Sequence, residues 1–114
     1  MVVRMDPCDT VSTVCASTEI DALTCGELEE ALNRLMDSGK TLIVLDMSAT
    51  VYISSAGLRV LLATAKRLHG AGRFAIAAGN QEVCGILEMT GFTRIIDTYG
   101  TAEKAVAALS EPHT

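Results

Sequence analysis

Residues 41–62 read TLIVLDMSATVYISSAGLRVLL, and the order of residue types in this stretch decides the fold. The first seven, TLIVLDM, are an apolar run of strand length interrupted only by Asp46, the pattern of a central strand covered on both faces. A short polar turn follows, in which Asp46 and Ser48 read as turn formers. Ser54 and Ser55 then precede Ala56-Gly57-Leu58, where a helix opens near Ala56. Leu58, Leu61, Leu62, Ala65 and Leu68 fall on one side of that helix, with Arg59, Lys66 and Arg67 away from them. The Gly-Ala-Gly of residues 70–72 ends it. Hydroxyls therefore stand just past the end of a buried strand, at the start of a helix.

Working outward, residues 1–5 (MVVRM) form an edge-strand candidate stopped by Asp6-Pro7, and residues 11–16 alternate well enough for a second strand. Residues 17–24 (STEIDALT) read as a turn. From Leu23 the apolar positions Leu28, Ala31, Leu32 and Leu35 recur at helical spacing, with Asp21 or Thr24 as cap and Gly39 as terminator. Downstream, residues 73–78 (RFAIAA) are a strand, Gly79-Asn80 a turn, and residues 81–90 a shorter helix ended by Gly91. Residues 94–97 read as a brief strand. Thr101 caps a last helix over 102–109, and residues 110–114 form a frayed tail. Strands alternating with helices predict an α/β fold with a partly parallel sheet, in one domain over 1–114 with its core at about 11–109.

At 114 residues the chain buries roughly two-thirds of its unfolded surface, enough to fold without staples. Apolar residues are 49 % and charged residues 20 %, which excludes disorder. No apolar run approaches the ~20 residues of a membrane span, and no secretory signal opens the chain, so a soluble, cytoplasmic protein is expected. Net charge is −5, the nine basic residues are scattered, and there are two Phe, two Tyr and no Trp. Nucleic-acid binding would want a basic stripe or stacking aromatics. Cys8, Cys15, Cys25 and Cys84 form no C-x-x-C pair and lie far in sequence from His69 and His113. Zinc is not expected, and the thiols read as reduced and mostly buried.

A helix N-terminus presents unpaired amides and the positive end of a dipole. Ser54 or Ser55 there can serve as an ordinary N-cap. The same place also favours a phosphate, whose oxygens take those amide hydrogen bonds. Ser55 lacks a catalytic partner, since His69 ends the same helix and His113 lies in the tail. The glycines form neither a nucleophile elbow, a dinucleotide fingerprint nor a P-loop. A phosphoacceptor aspartate at Asp46, with Asp6 and Asp9 to hold magnesium, would need a lysine after the 73–80 strand, and none is present. No enzyme, metal or cofactor is expected.

Taken together, Thr18-Glu19-Ile20-Asp21, then LIVLDMS, YISSAGLRVLL and, after a glycine break, RFAIAAGNQEVCGILEMTGF resemble the STAS domain family over about residues 11–109. The resemblance implies a four- to five-stranded mixed sheet with about four helices packed mainly on one side. It implies an anti-sigma factor antagonist whose serine at the start of the second helix, here Ser55, is phosphorylated by a GHKL-type anti-sigma factor kinase and restored by a PP2C-type phosphatase. It matches Asp21 to an acidic position near the acceptor. The expected partner surface is the rim of Asp21, Ser54, Ser55 and Gly57 with the exposed side of the second helix, where Arg59, Lys66 and Arg67 are positive in an otherwise acidic chain; the alternative for that side is a solvated helix face. Two positions depart from the family pattern. Ser54 replaces the aspartate of many phosphorylatable members and is a rival acceptor, and Thr18 replaces the usual glycine. The family also includes scaffold subunits of lipid-transport ABC complexes or stress-signalling assemblies, and nucleotide binding is a further alternative.

Overall fold

The computed structural model describes residues 2–5, 11–78 and 80–110. In chain order these form β1 (Val2–Met5), β2 (Ser12–Cys15), β3 (Glu19–Ile20), α1 (Cys25–Asp37), β4 (Leu42–Asp46), β5 (Tyr52–Ile53), α2 (Ser55–Leu68), β6 (Arg73–Ala77), α3 (Gln81–Met89), a 3₁₀ turn (Phe92–Arg94), β7 (Asp97–Tyr99) and α4 (Ala102–Ser110). The expectations placed on Asp6-Pro7, Cys8, Asp9, Gly79, His113 and the tail at 111–114 lie outside the described residues.

One sheet runs β1-β2-β4-β6-β7. β1 is antiparallel to β2, and β2, β4, β6 and β7 are mutually parallel. The expected mixed α/β sheet is thus present, with five strands. β4 lies at its centre, and Ile43, Val44 and Leu45 are fully buried. Because successive strand residues face opposite sides, Ile43 and Leu45 join Val14, Phe74 and Ile76 beneath α1, α2 and α3. Val44 joins Val11, Ala75 and Ala77 beneath α4, against Ala105 and Leu109. Three helices therefore cover one face and α4 the other. The small side chains of Ala75, Ala77 and Ala105 allow that fourth helix to lie close.

β6 begins against β4 at Gly72. A Cβ there would fall 1.9 Å from the Thr41 carbonyl oxygen, which accepts the Arg73 amide at 2.8 Å. Backbone closeness of this kind admits only glycine. Gly39, expected to end α1, follows the Ser38 C-cap with φ +90°, and Gly91 follows α3 with φ +81°.

Residues 94–97, expected as a strand, are divided differently. Arg94 and Ile95 close a 3₁₀ turn by donating to Gly91 and Phe92, and Ile96 also donates to Phe92. Only at Asp97 is the backbone released to pair with Ala75 of β6. The apolar pair Ile95-Ile96 suggested β structure, yet one member is buried and the other exposed at the end of a turn. Among the described residues no helix is long and apolar enough to cross a membrane.

Candidate functional site

The first turn of α2 rests on a two-stranded parallel ribbon, β3 with β5, in which Glu19 pairs Tyr52 and Ile20 pairs Ile53. Further hydrogen bonds lengthen the seam across some thirty residues of chain. Thr50 Oγ1 donates to the Ser17 carbonyl at 2.8 Å. The Val51 amide donates to Thr18 at 2.8 Å and the Ser54 amide to Ile20 at 2.7 Å. Gly57 makes the contact from the helix side. A Cβ there would stand 2.7 Å from Ile20 Cγ2, 2.8 Å from Ile53 Cγ1 and 3.3 Å from the Ile20 carbonyl oxygen. Gly57, expected in the partner surface, is buried and seats the helix start.

The two serines divide their duties. Ser54 is the N-cap, in extended conformation, and its Oγ accepts the Gly57 amide at 3.2 Å. Ser55, the first helical residue, is exposed. Its hydroxyl makes no hydrogen bond among the described residues. α1, α3 and α4 each carry a glutamate in the first turn, whereas α2 carries no acid there and ends on Lys66 and Arg67. The positive end of the α2 dipole is therefore without the carboxylate that commonly complements it.

Asp21 follows Ile20 directly, so the ribbon carries it to the side of the Ser54–Ser55 corner. Its Oδ1 accepts the amides of Leu23 (2.9 Å) and Thr24 (3.1 Å), while its own amide donates to Thr24 Oγ1 at 2.9 Å. The Thr24 and Leu23 amides hold the Asp21 carboxyl below its ordinary range. Between the two expected caps of α1, Asp21 supplies the side-chain acceptor, and Thr24 occupies the N-cap position without a capping bond of its own. Leu23, read as the first core position of α1, is 89 % exposed at this corner, and Tyr52 is 50 % exposed on the ribbon.

Arg59 and Lys66 are exposed on α2 and make no ion pair or side-chain hydrogen bond among the described residues. Arg67 differs from them. It pairs with Asp37 and donates to Asn33 at 3.3 Å, tying α2 to α1. His69 caps the far end of α2, roughly 20 Å from Ser55 at 1.5 Å per residue, beyond reach as a base. Among the described residues no group of three or more His, Cys, Asp and Glu could hold a metal ion. The corner thus brings together a free hydroxyl at a dipole end, a carboxylate held by neighbouring amides and a cationic helix face.

Residues 5–105 match the STAS domain. The chain belongs to the STAS family. Among its relatives, BtrV of Bordetella bronchiseptica, provisionally named an anti-sigma factor antagonist, is 33 % identical over 95 % of this chain and 94 % of BtrV. The anti-sigma-F factor antagonist RsfB of Mycobacterium tuberculosis is 25 % identical, with 87 % and 81 % of the two chains covered. An anti-sigma factor antagonist from Mycobacterium paratuberculosis, solved by crystallography, superposes with a TM-score of 0.86 at 28 % identity, over 96 % of this chain and 94 % of that one. The STAS fold expected from the motifs is thus the fold observed. What sequence reasoning missed at the site is the ribbon with its exposed Tyr52 and Leu23. The available signal was the pair of buried isoleucines, Ile20 and Ile53, each standing in a stretch read as a turn.

The division between the serines predicts unequal costs of substitution. Ser54→Ala leaves the Gly57 amide without its acceptor and lowers unfolding free energy by about 1 kcal/mol, while Ser55→Ala stays within about 0.5 kcal/mol, both read from urea midpoints. Asp21 predicts a pH effect. Its folded pKa lies below the unfolded value of 3.8, so its contribution is present above that value and lost as pH falls through and below it. Asp21→Asn therefore gives a shallower loss of stability on acidification below about pH 4 than the parent chain, measured as urea midpoint against pH.

Proposed function

We propose that this STAS protein is an anti-sigma factor antagonist, a binding module that docks unmodified on an anti-sigma factor and is released by phosphorylation of Ser55. The partner is a serine kinase of the GHKL type, and a PP2C-type phosphatase restores the hydroxyl. The chain acts in the cytoplasm as one domain, is not itself an enzyme and needs no cofactor. The observation that carries the reading is the exposed, uncommitted Ser55 hydroxyl at a helix start whose capping is already done by Ser54. The same observation favours Ser55 over its rival, since Ser54 Oγ is half-buried and engaged. The names of BtrV, RsfB and the mycobacterial structure support the partner class.

Magnitudes decide how the switch works. A phosphate brings about −1.5 to −2 charges, and at the acid-free N-terminus of α2 it is tolerated or favoured by up to ~2 kcal/mol. Domain stability is of order 5–15 kcal/mol, so modification leaves the fold intact. At an interface, like charges or a desolvated phosphate cost several kcal/mol, about a hundredfold in affinity. The switch therefore acts at the docking surface.

Incubation with the cognate anti-sigma factor kinase and ATP adds one phosphoryl group, lost in Ser55→Ala and kept in Ser54→Ala, as read by intact-mass and fragment spectrometry. Ser55→Asp weakens the complex by about tenfold or more with the melting temperature nearly unchanged. Modification at Ser54, or full binding by Ser55→Asp, contradicts the reading.

A further inference from the structure

Ser55, Arg59, Leu62 and Lys66 follow one another at spacings of four, three and four along α2, so Leu62, read in the sequence with the buried stripe, lies half-buried on the line of the cations. At 100° per residue they fall within roughly 60° of one another, and His69 continues the line at the helix end. The buried residues Gly57, Val60, Leu61, Thr64 and Leu68 occupy the opposite side. The outward line is cationic in an acidic chain: it carries Arg59 and Lys66 and no carboxylate, while net charge is −5. Arg34, Arg67 and Arg73 are each paired with an aspartate or glutamate. Arg59 and Lys66 have no such partner among the described residues.

The line also leads to an apolar opening. A cavity of about 320 Å³ is lined by Leu62, Ala65, Lys66, His69 and Ile95. It adjoins a second of about 180 Å³ that shares Ala65, His69 and Ile95 and reaches Phe74 at its floor. Ile95 stands 58 % exposed at the rim. From Ser55 to Leu62 is about 10 Å along the axis, so two to three turns of a docked helix would span both the hydroxyl and the groove.

We infer that the outward face of α2 is a docking seam for a net-negative amphipathic helix of the partner, with an apolar side chain entering the Leu62–Ile95 groove and carboxylates meeting Arg59 and Lys66. The inference rests on the Ser55 reading and extends it from one hydroxyl to a surface. Charge complementarity selects the occupant, because an acidic helix is the one that the unpaired cations of an otherwise acidic protein attract. Helix-in-groove recognition of this kind places anchors at i, i+3, i+4 and i+7. A phosphate on Ser55 then adds its negative charge at one end of the seam, against an acidic partner.

The chain has no Trp, so a synthetic helical peptide of about 18 residues with leucines on one face, flanking glutamates and one central Trp reports its own burial. Its emission shifts to the blue saturably on titration with the protein. Arg59→Glu with Lys66→Glu, and separately Ile95→Asp, each weaken binding by about tenfold. Lys104→Glu on α4, across the sheet, leaves it unchanged, and all of these variants keep the parent's melting temperature. The same peptide with lysines for glutamates binds about tenfold more weakly. The inference is overturned by no saturable shift at about 1 mM, by equal binding of the two peptides, or by an equal loss in Lys104→Glu. Ser55→Asp separates the two proposals. Should it keep the parent's affinity for the anti-sigma factor while Arg59→Glu with Lys66→Glu loses that factor and the peptide, the seam stands and the phosphorylation reading falls. Should it lose the anti-sigma factor while the seam variants keep full affinity for that factor, the seam falls and the phosphorylation reading stands.

Discussion

The backbone-close seating of α2 on the β3–β5 ribbon is the constraint from which the site's geometry follows. Helices ordinarily rest on sheets through side chains, at distances that leave the helix free to slide or roll by fractions of an ångström. Here the absent Cβ of Gly57 brings the first turn onto Ile20 and Ile53 directly, and the Ser54 amide is bonded to the Ile20 carbonyl. Position and orientation of the helix start are thereby fixed by the Ile20 and Ile53 side chains packed on the Gly57 backbone and by the Ser54–Ile20 backbone hydrogen bond. Asp21, one residue beyond Ile20, is held beside the serines by the same bond, and its own carboxylate is spent on the start of α1. One seam thus aligns the start of two helices at a single corner.

Once α2 is so seated, chemistry at its tip separates into a structural and an available hydroxyl. Ser54 satisfies one of the orphan amides, and Ser55 is released from that duty. With no acid in the first turn, added negative charge at this tip is electrostatically welcome to the fold. A partner with its own carboxylates nearby experiences the opposite. In the switch proposed above, the same charge is near-neutral for folding and adverse for docking, as a reversible regulatory modification requires.

Much of this was legible in the sequence because it is written in periodic patterns. The continuous run of residues 41–47 identified the central strand, and the 3.6-residue recurrence of apolar positions identified α1 and α2. The STAS motifs put Ser55 at a helix start, where it is the first residue of α2, and residues 5–105 match that family. What stayed hidden depended on distant pairing. β3 and β5 are two residues each, too short to show alternation, and both lie in stretches rich in turn formers. Arg67 reads like Arg59 and Lys66 in sequence, yet Asp37, thirty residues earlier, claims it. Gly57 carries no side chain by which inward and outward could be told apart, and Leu23 mimics a core position although it is exposed. Ile95-Ile96 imitated a strand because a 3₁₀ turn leaves no periodic mark.

The most direct test of the seating is native-state hydrogen exchange on Gly57→Ala. The account predicts that the Ser54 amide, bonded to Ile20, and the Val51 amide, bonded to Thr18, lose protection by about tenfold or more, while amides of β6 under α4 keep theirs. Unchanged protection at Ser54 and Val51 in that variant would contradict it.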